Sequence, residues 1–112
     1  MILHVVLFTP KPDLPAGDRV QLIDALREAQ ASIPVIRRFR VGTRAVTGRP
    51  YDALARDFPY IALFEFDSQA DLETYLAHPA HDRLAMGFYQ FSAAAEAYDF
   101  DVAEVPEGLE KL

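Results

Sequence analysis

The run Ile2, Leu3, His4, Val5, Val6, Leu7, Phe8 constrains this chain more than any other segment. Its residues are β-branched, aliphatic or aromatic, and Pro10 and Pro12 close it because proline cannot supply the next ladder hydrogen bond. A strand is expected. Side chains alternate across a strand, so a run that is apolar at both parities, apart from His4, needs cover on both faces of its sheet. Helices can supply one layer, and a second subunit is the economical source of the other.

The rest of the chain supplies the partners for such a strand. From about Gly17 to Ser32, Leu22, Leu26, Ala29 and Ile33 recur at helical spacing while Asp18, Gln21, Asp24 and Glu28 lie off that stripe, predicting a helix that stops by Pro34. Val35 to Val46 alternates Phe39 and Val41 against Arg38 and Arg40, a half-exposed strand with Gly42 as a candidate bulge. The connection from Thr47 to Pro59 is longer than a hairpin needs, with one helical turn expected at Asp52 to Arg56, and connections of this kind often cover a pocket. Tyr60 to Phe66 is a third strand, apolar on both faces except for Glu65. Ser68 and Asp71 have capping-box spacing ahead of a second helix whose inward side holds Leu72, Tyr75 and Leu76. Pro79 cannot continue that helix and disfavours helical angles at His78, so the chain breaks and restarts with Pro79 in the first turn. Leu84, Phe88, Phe91 and Ala95 mark the third helix, and Ala97 to Val105 alternates Tyr98, Phe100 and Val102 against Asp99 and Asp101 as the last strand.

The order β, α, β, β, α, α, β predicts an α+β fold: a ferredoxin-like βαββαβ sandwich with helices on one face of a four-stranded antiparallel sheet. At 112 residues there is room for one core, so residues 1–105 are expected to form one domain and residues 106–112 a polar tail. Apolar residues on both faces of the first and third strands predict a homodimer through the sheet faces, closing a barrel-like interface around a two-fold axis.

Composition excludes several function classes. The net charge of −6 repels polyanions at long range, so no nucleic acid is expected, and Arg37, Arg38, Arg40 and Arg44 read as a solvated or ion-paired face. Without cysteine there is neither a disulfide nor a thiolate-bound cluster, so any ferredoxin likeness is one of topology. The N-terminal run lacks the flanks of a cleavable leader, no stretch is long enough to span a membrane, and a cytoplasmic location follows by default.

The three histidines, His4, His78 and His81, are the candidate chemistry. His81 falls at the third position of its helix, where free N–H groups and the dipole disfavour an imidazolium and keep the ring available as a base. Tyr75 can bring a phenol to the same place, and the first strand can present His4 beneath it. A neutral imidazole beside a phenol suits proton abstraction next to a carbonyl, the phenol bonding the developing enolate oxygen. The plainer alternatives stand beside this: His81 bonding a backbone group at the helix break, Tyr75 as a core aromatic, and His78 as a helix terminus. A buried His4 needs a hydrogen-bond partner either way. No metal is expected, because Pro79 breaks the ligand spacing of His78 and His81 and no partner carboxylate is evident from the pattern.

His4 within Ile2–Phe8, the segment Phe64-Glu65-Phe66-Asp67-Ser68, and above all Tyr75-Leu76-Ala77-His78-Pro79-Ala80-His81 together resemble the stress-responsive α/β-barrel (Dabb) domain family, over Met1 to about Val105. The resemblance implies a dimeric ferredoxin-like α/β barrel. A plant polyketide cyclase similar to the family performs an intramolecular aldol condensation without metal or organic cofactor. By motif, its catalytic tyrosine and histidine fall on Tyr75 and His81, and its first-strand histidine on His4. The expected function is therefore a homodimeric small-molecule-binding protein, acting as a cofactor-free cyclase or lyase on a hydrophobic, polyketide-like carbonyl compound. A non-catalytic, stress-responsive ligand-binding dimer is the alternative, and a cofactor-free monooxygenase of the same barrel topology a third.

Overall fold

The two runs that are apolar at both parities become the two central strands of one sheet. In a computed structural model describing Met1–Leu112, β1 (Ile2–Pro10) lies between β3 (Tyr60–Phe66) and β4 (Ser92–Asp101), with β2 (Arg38–Thr43) on the far side of β3. Neighbouring strands are antiparallel throughout. The polar alternation of β2 and β4 belongs to edge strands, which need less cover. The helices are α1 (Ala16–Ser32), the single turn α2 (Pro50–Leu54), α3 (Gln69–Ala77) and α4 (Pro79–Phe91), and a 3-10 turn spans Glu107–Lys111. No helix is long and apolar enough to cross a membrane.

Strand parity sorts the side chains into two layers. Ile2, His4, Val6 and Phe8 of β1 join Ala62, Phe64 and Phe66 of β3 in the buried layer under the helices, where Leu22, Ala29, Leu72, Tyr75, Leu84 and Phe91 meet them. Leu3, Val5 and Leu7 point the other way and are only half-buried, beside Tyr98 and Phe100, which are 47% and 51% exposed. Glu65 sits in that open face, its carboxylate 2.9 Å from Arg40 and 3.8 Å from Arg38. Arg37 pairs with Asp67 at 3.5 Å and Arg44 with Asp57 at 3.1 Å, so the basic stretch is an ion-paired face.

Several boundaries differ from the sequence reading, each for a physical reason. β2 is shorter than Val35–Val46, because Ile36 N–H closes a turn on the Ile33 carbonyl and the Asp52 carboxylate takes Thr47 and Gly48 N–H at 2.9 and 2.7 Å. Gly42 pairs in register with Ile61, and the irregular position is Thr9/Pro10 instead, where proline interrupts the ladder with β4. The turn α2 begins at Pro50 rather than Asp52, since proline is suited to a first helical position. The largest shift is at α4, which ends at Phe91; Ser92 to Glu96 lie in β4 and Ala95 pairs with Phe8. Alanine favours helix locally, but the long β1 offers unpaired backbone groups that only an extended Ser92–Glu96 can meet. Leu76 is 39% exposed, at the rim of the core rather than inside it.

Candidate functional site

The break between α3 and α4 is built by His78. Its backbone is extended, with φ −73° and ψ 140°, and its Nδ1 accepts the Ala80 N–H at 3.0 Å, so it caps α4. That hydrogen bond commits the His78 Nδ1 to the end of the helix. Pro79 and Ala80 then place His81 in the first turn, where its ring meets Tyr75 edge-on at 4.8 Å between centroids. Tyr75, near the end of α3, packs against Phe64 and Phe66 at 5.3 and 5.1 Å.

From below, β1 presents His4. Its ring centroid lies 5.6 Å from that of Tyr75, and its Nδ1 lies 2.6 Å from the Asp99 carboxylate of β4, the residue directly opposite it in the ladder. Asp99, His4, Tyr75 and His81 therefore form a row, and all four border one cavity of about 440 Å³ whose remaining wall includes Val6, Leu84 and Phe88. That volume lies in the range of small-molecule sites, which pair apolar walls with a few convergent polar groups.

The electrostatics give the two donor–acceptor groups different states. Burial, and secondarily the Asp99 charge, holds the Tyr75 hydroxyl well above its ordinary pKa, so it remains a phenol and a donor. Burial and the neighbouring His4 pull His81 below the ordinary histidine value, against the opposing pull of Asp82 and of a hydrogen bond to the Leu76 backbone. The imidazole is thereby held toward its neutral form, as the helix N-terminus also favours. The Tyr75 hydroxyl and His4 Nε2 make no hydrogen bond within the protein, and both residues line the cavity.

Of the residues singled out in the sequence, His4, Tyr75 and His81 are brought together and His78 is not. Asp99 is the one that sequence reasoning missed: it reads as a solvent-side residue of the last strand, whereas the β1–β4 register turns it to His4. The signal available was the requirement that a buried His4 find a partner. The Thr47–Pro59 connection borders other parts of the molecule, where Thr9 donates to the Asp57 carbonyl at 3.0 Å and Arg56 pairs with Glu96; it does not line this cavity.

The family model of the stress-responsive A/B barrel domain, Dabb, matches residues 2–102. The chain belongs to that family. No curated protein matches it in sequence. Among solved structures, this Dabb domain is similar to a protein of Arabidopsis thaliana, with TM-score 0.77 and 21% identity over 94% of this chain and 98% of that one. It is also similar to a hydroxynitrile lyase from Passiflora edulis, with TM-score 0.76 and 19% identity over 93% of this chain and 94% of the lyase. A third similar structure is a dimeric ferredoxin-like protein of unknown function from Thermobifida fusca, with TM-score 0.69, 20% identity and 90% coverage of both chains. At these identities the likeness is one of fold, and the βαββαβ order with the β2-β3-β1-β4 sheet is the ferredoxin-like arrangement.

Proposed function

We propose that this Dabb domain is a homodimer that binds a hydrophobic carbonyl compound in the cavity of each protomer and acts on it without a cofactor, as a cyclase or lyase. The observation that carries the reading is the convergence of Tyr75, His81 and His4 on a single cavity. A carbonyl oxygen placed at the Tyr75 hydroxyl puts its α-carbon within reach of an imidazole. Tyr75 donates to the oxygen as charge develops there, His81 takes the proton, and His4 positions the substrate. The apolar wall of Val6, Leu84 and Phe88 gives the hydrophobic part of the compound a surface to pack against.

The open sheet face supports the dimer. Leu3, Val5 and Leu7 would remain wetted in a monomer, and a copy of the same face covers them symmetrically. The Thermobifida fusca relative of the same fold is described as dimeric, which favours this arrangement. A non-catalytic ligand-binding protein is the second reading, favoured by Tyr75, whose ring is 1% exposed and packed as a core aromatic.

Turnover of β-polyketone test substrates decides between them. The enzyme reading expects cyclised or cleaved product from the parent protein, and its loss in Tyr75→Phe and His81→Ala proteins that still melt cooperatively. A parent protein that binds these compounds without converting any of them establishes the second reading.

A further inference from the structure

We infer that the cavity selects uncharged hydrophobic compounds carrying both a carbonyl and a hydroxyl group, and that Asp99 sets this choice by holding His4 as a hydrogen-bond acceptor. The inference rests on the reading of the cavity as a carbonyl site and adds what else its ligand must carry. A carboxylate can only accept, so at 2.6 Å from Asp99 the Nδ1 of a neutral His4 must hold the ring's proton. The lone pair is then left on Nε2, which has no partner in the protein and belongs to a ring lining the cavity. Tyr75 offers the opposite function, a hydroxyl free to donate, on a ring whose centroid is 5.6 Å from that of His4. One donor and one acceptor side by side on an apolar wall are satisfied together by a ligand that has one acceptor and one donor.

Charge narrows the class further. No lysine or arginine lines the cavity; of its two acidic residues, Asp99 shares the face of His4, while Glu96, opposite Leu7 in the ladder, turns its side chain to the open face of the sheet. Glu96 is answered by Arg56 and by the Tyr98 hydroxyl at 3.0 Å, whereas Asp99 has only His4. An anionic ligand meets that carboxylate with no lysine or arginine to offset it, and because the Asp99 side chain is 45% exposed the repulsion is partly screened and should weaken with added salt.

Three aryl ketones of similar size test this: acetophenone, 2-hydroxy-1-phenylethanone and the anion phenylglyoxylate, titrated against the full-length protein by calorimetry at about pH 8, where an ordinary histidine is neutral. The hydroxyketone is expected to bind about ten-fold tighter than acetophenone, in line with one added hydrogen bond, and phenylglyoxylate more weakly than either. Ring 15N shifts of His4 should report the proton on Nδ1. Asp99→Leu removes the acceptor and is expected to abolish the hydroxyl preference. Asp99→Asn keeps an acceptor oxygen without the charge, and should relieve the penalty on phenylglyoxylate while retaining that preference. Phenylglyoxylate binding as tightly as the hydroxyketone, or a wild-type His4 protonated on Nε2, overturns the inference and leaves the carbonyl site standing. Failure of all three ketones to bind overturns the carbonyl site itself, and this inference with it.

Discussion

Tyr75 combines two properties that usually exclude each other, a ring packed on Phe64, Phe66, His4 and His81 and a hydroxyl without a protein partner. Tyr75→Phe removes only the oxygen, so the melting midpoint should move by less than about 1 kcal/mol of stability while ketone binding weakens. A loss of several kcal/mol in thermal melts would instead mean that the hydroxyl holds the fold. His81 carries a pH signature of known sign. Its pKa in the folded protein is below the ordinary value, so the unfolded chain takes up the proton first as pH falls. The stability this residue contributes is complete above about pH 6.5 and is lost as pH drops through the folded value. His81→Gln should therefore flatten the fall in melting temperature on the acid side of about pH 6.5, as scanning calorimetry of both proteins would record. The motif made Tyr75 and His81 legible as candidates because helical spacing and a proline are local facts. Asp99 was not legible, since its partnership with His4 crosses 95 positions of sequence and depends on strand register.

At the scale of elements, caps and close approaches decide where helices start and how near they come. Ser68 Oγ accepts the Asp71 N–H at 3.2 Å, as the spacing of the two residues predicts. Ser68→Ala should cost about 1 kcal/mol in urea unfolding, the usual size of a lost N-cap. Gly87 of α4 faces α1, where an added Cβ would lie 3.3 Å from the Leu22 Cα, a backbone atom that cannot swing aside. Gly87→Val is expected to lose about 1–3 kcal/mol by the same measurement, because overpacking at a helix crossing outweighs the gain in helix propensity. Nothing in the sequence marks Gly87 as a contact, whereas the cap at Ser68 is readable because it lies within three residues of its partner. The same distinction explains Ser92–Glu96, whose alanines suggest helix until a neighbouring strand competes for their backbone.

For the whole molecule, the open sheet face is the feature with the largest consequence. Val5 lies at its centre, opposite Leu63 on one side and Tyr98 on the other. The proposed sheet-face dimer expects the parent protein to sediment as a dimer and Val5→Lys, which leaves the helix-side core untouched, as a monomer with an unchanged helical circular dichroism spectrum; a parent protein that sediments as a monomer, or a variant that remains dimeric, overturns that interface. Taken alone, the sequence determined which strands are apolar on both faces, where the chain breaks at Pro79, and that the fold is ferredoxin-like, because periodicity, proline and capping act over a few residues. Tertiary structure decided the strand register, and with it the pairing of His4 with Asp99, the extension of β4 back to Ser92 and the convergence of Asp99, His4, Tyr75 and His81 on one cavity. The reason is that register is chosen by the fit of two distant strands and the layer packed upon them, an energy no local stretch of chain contains.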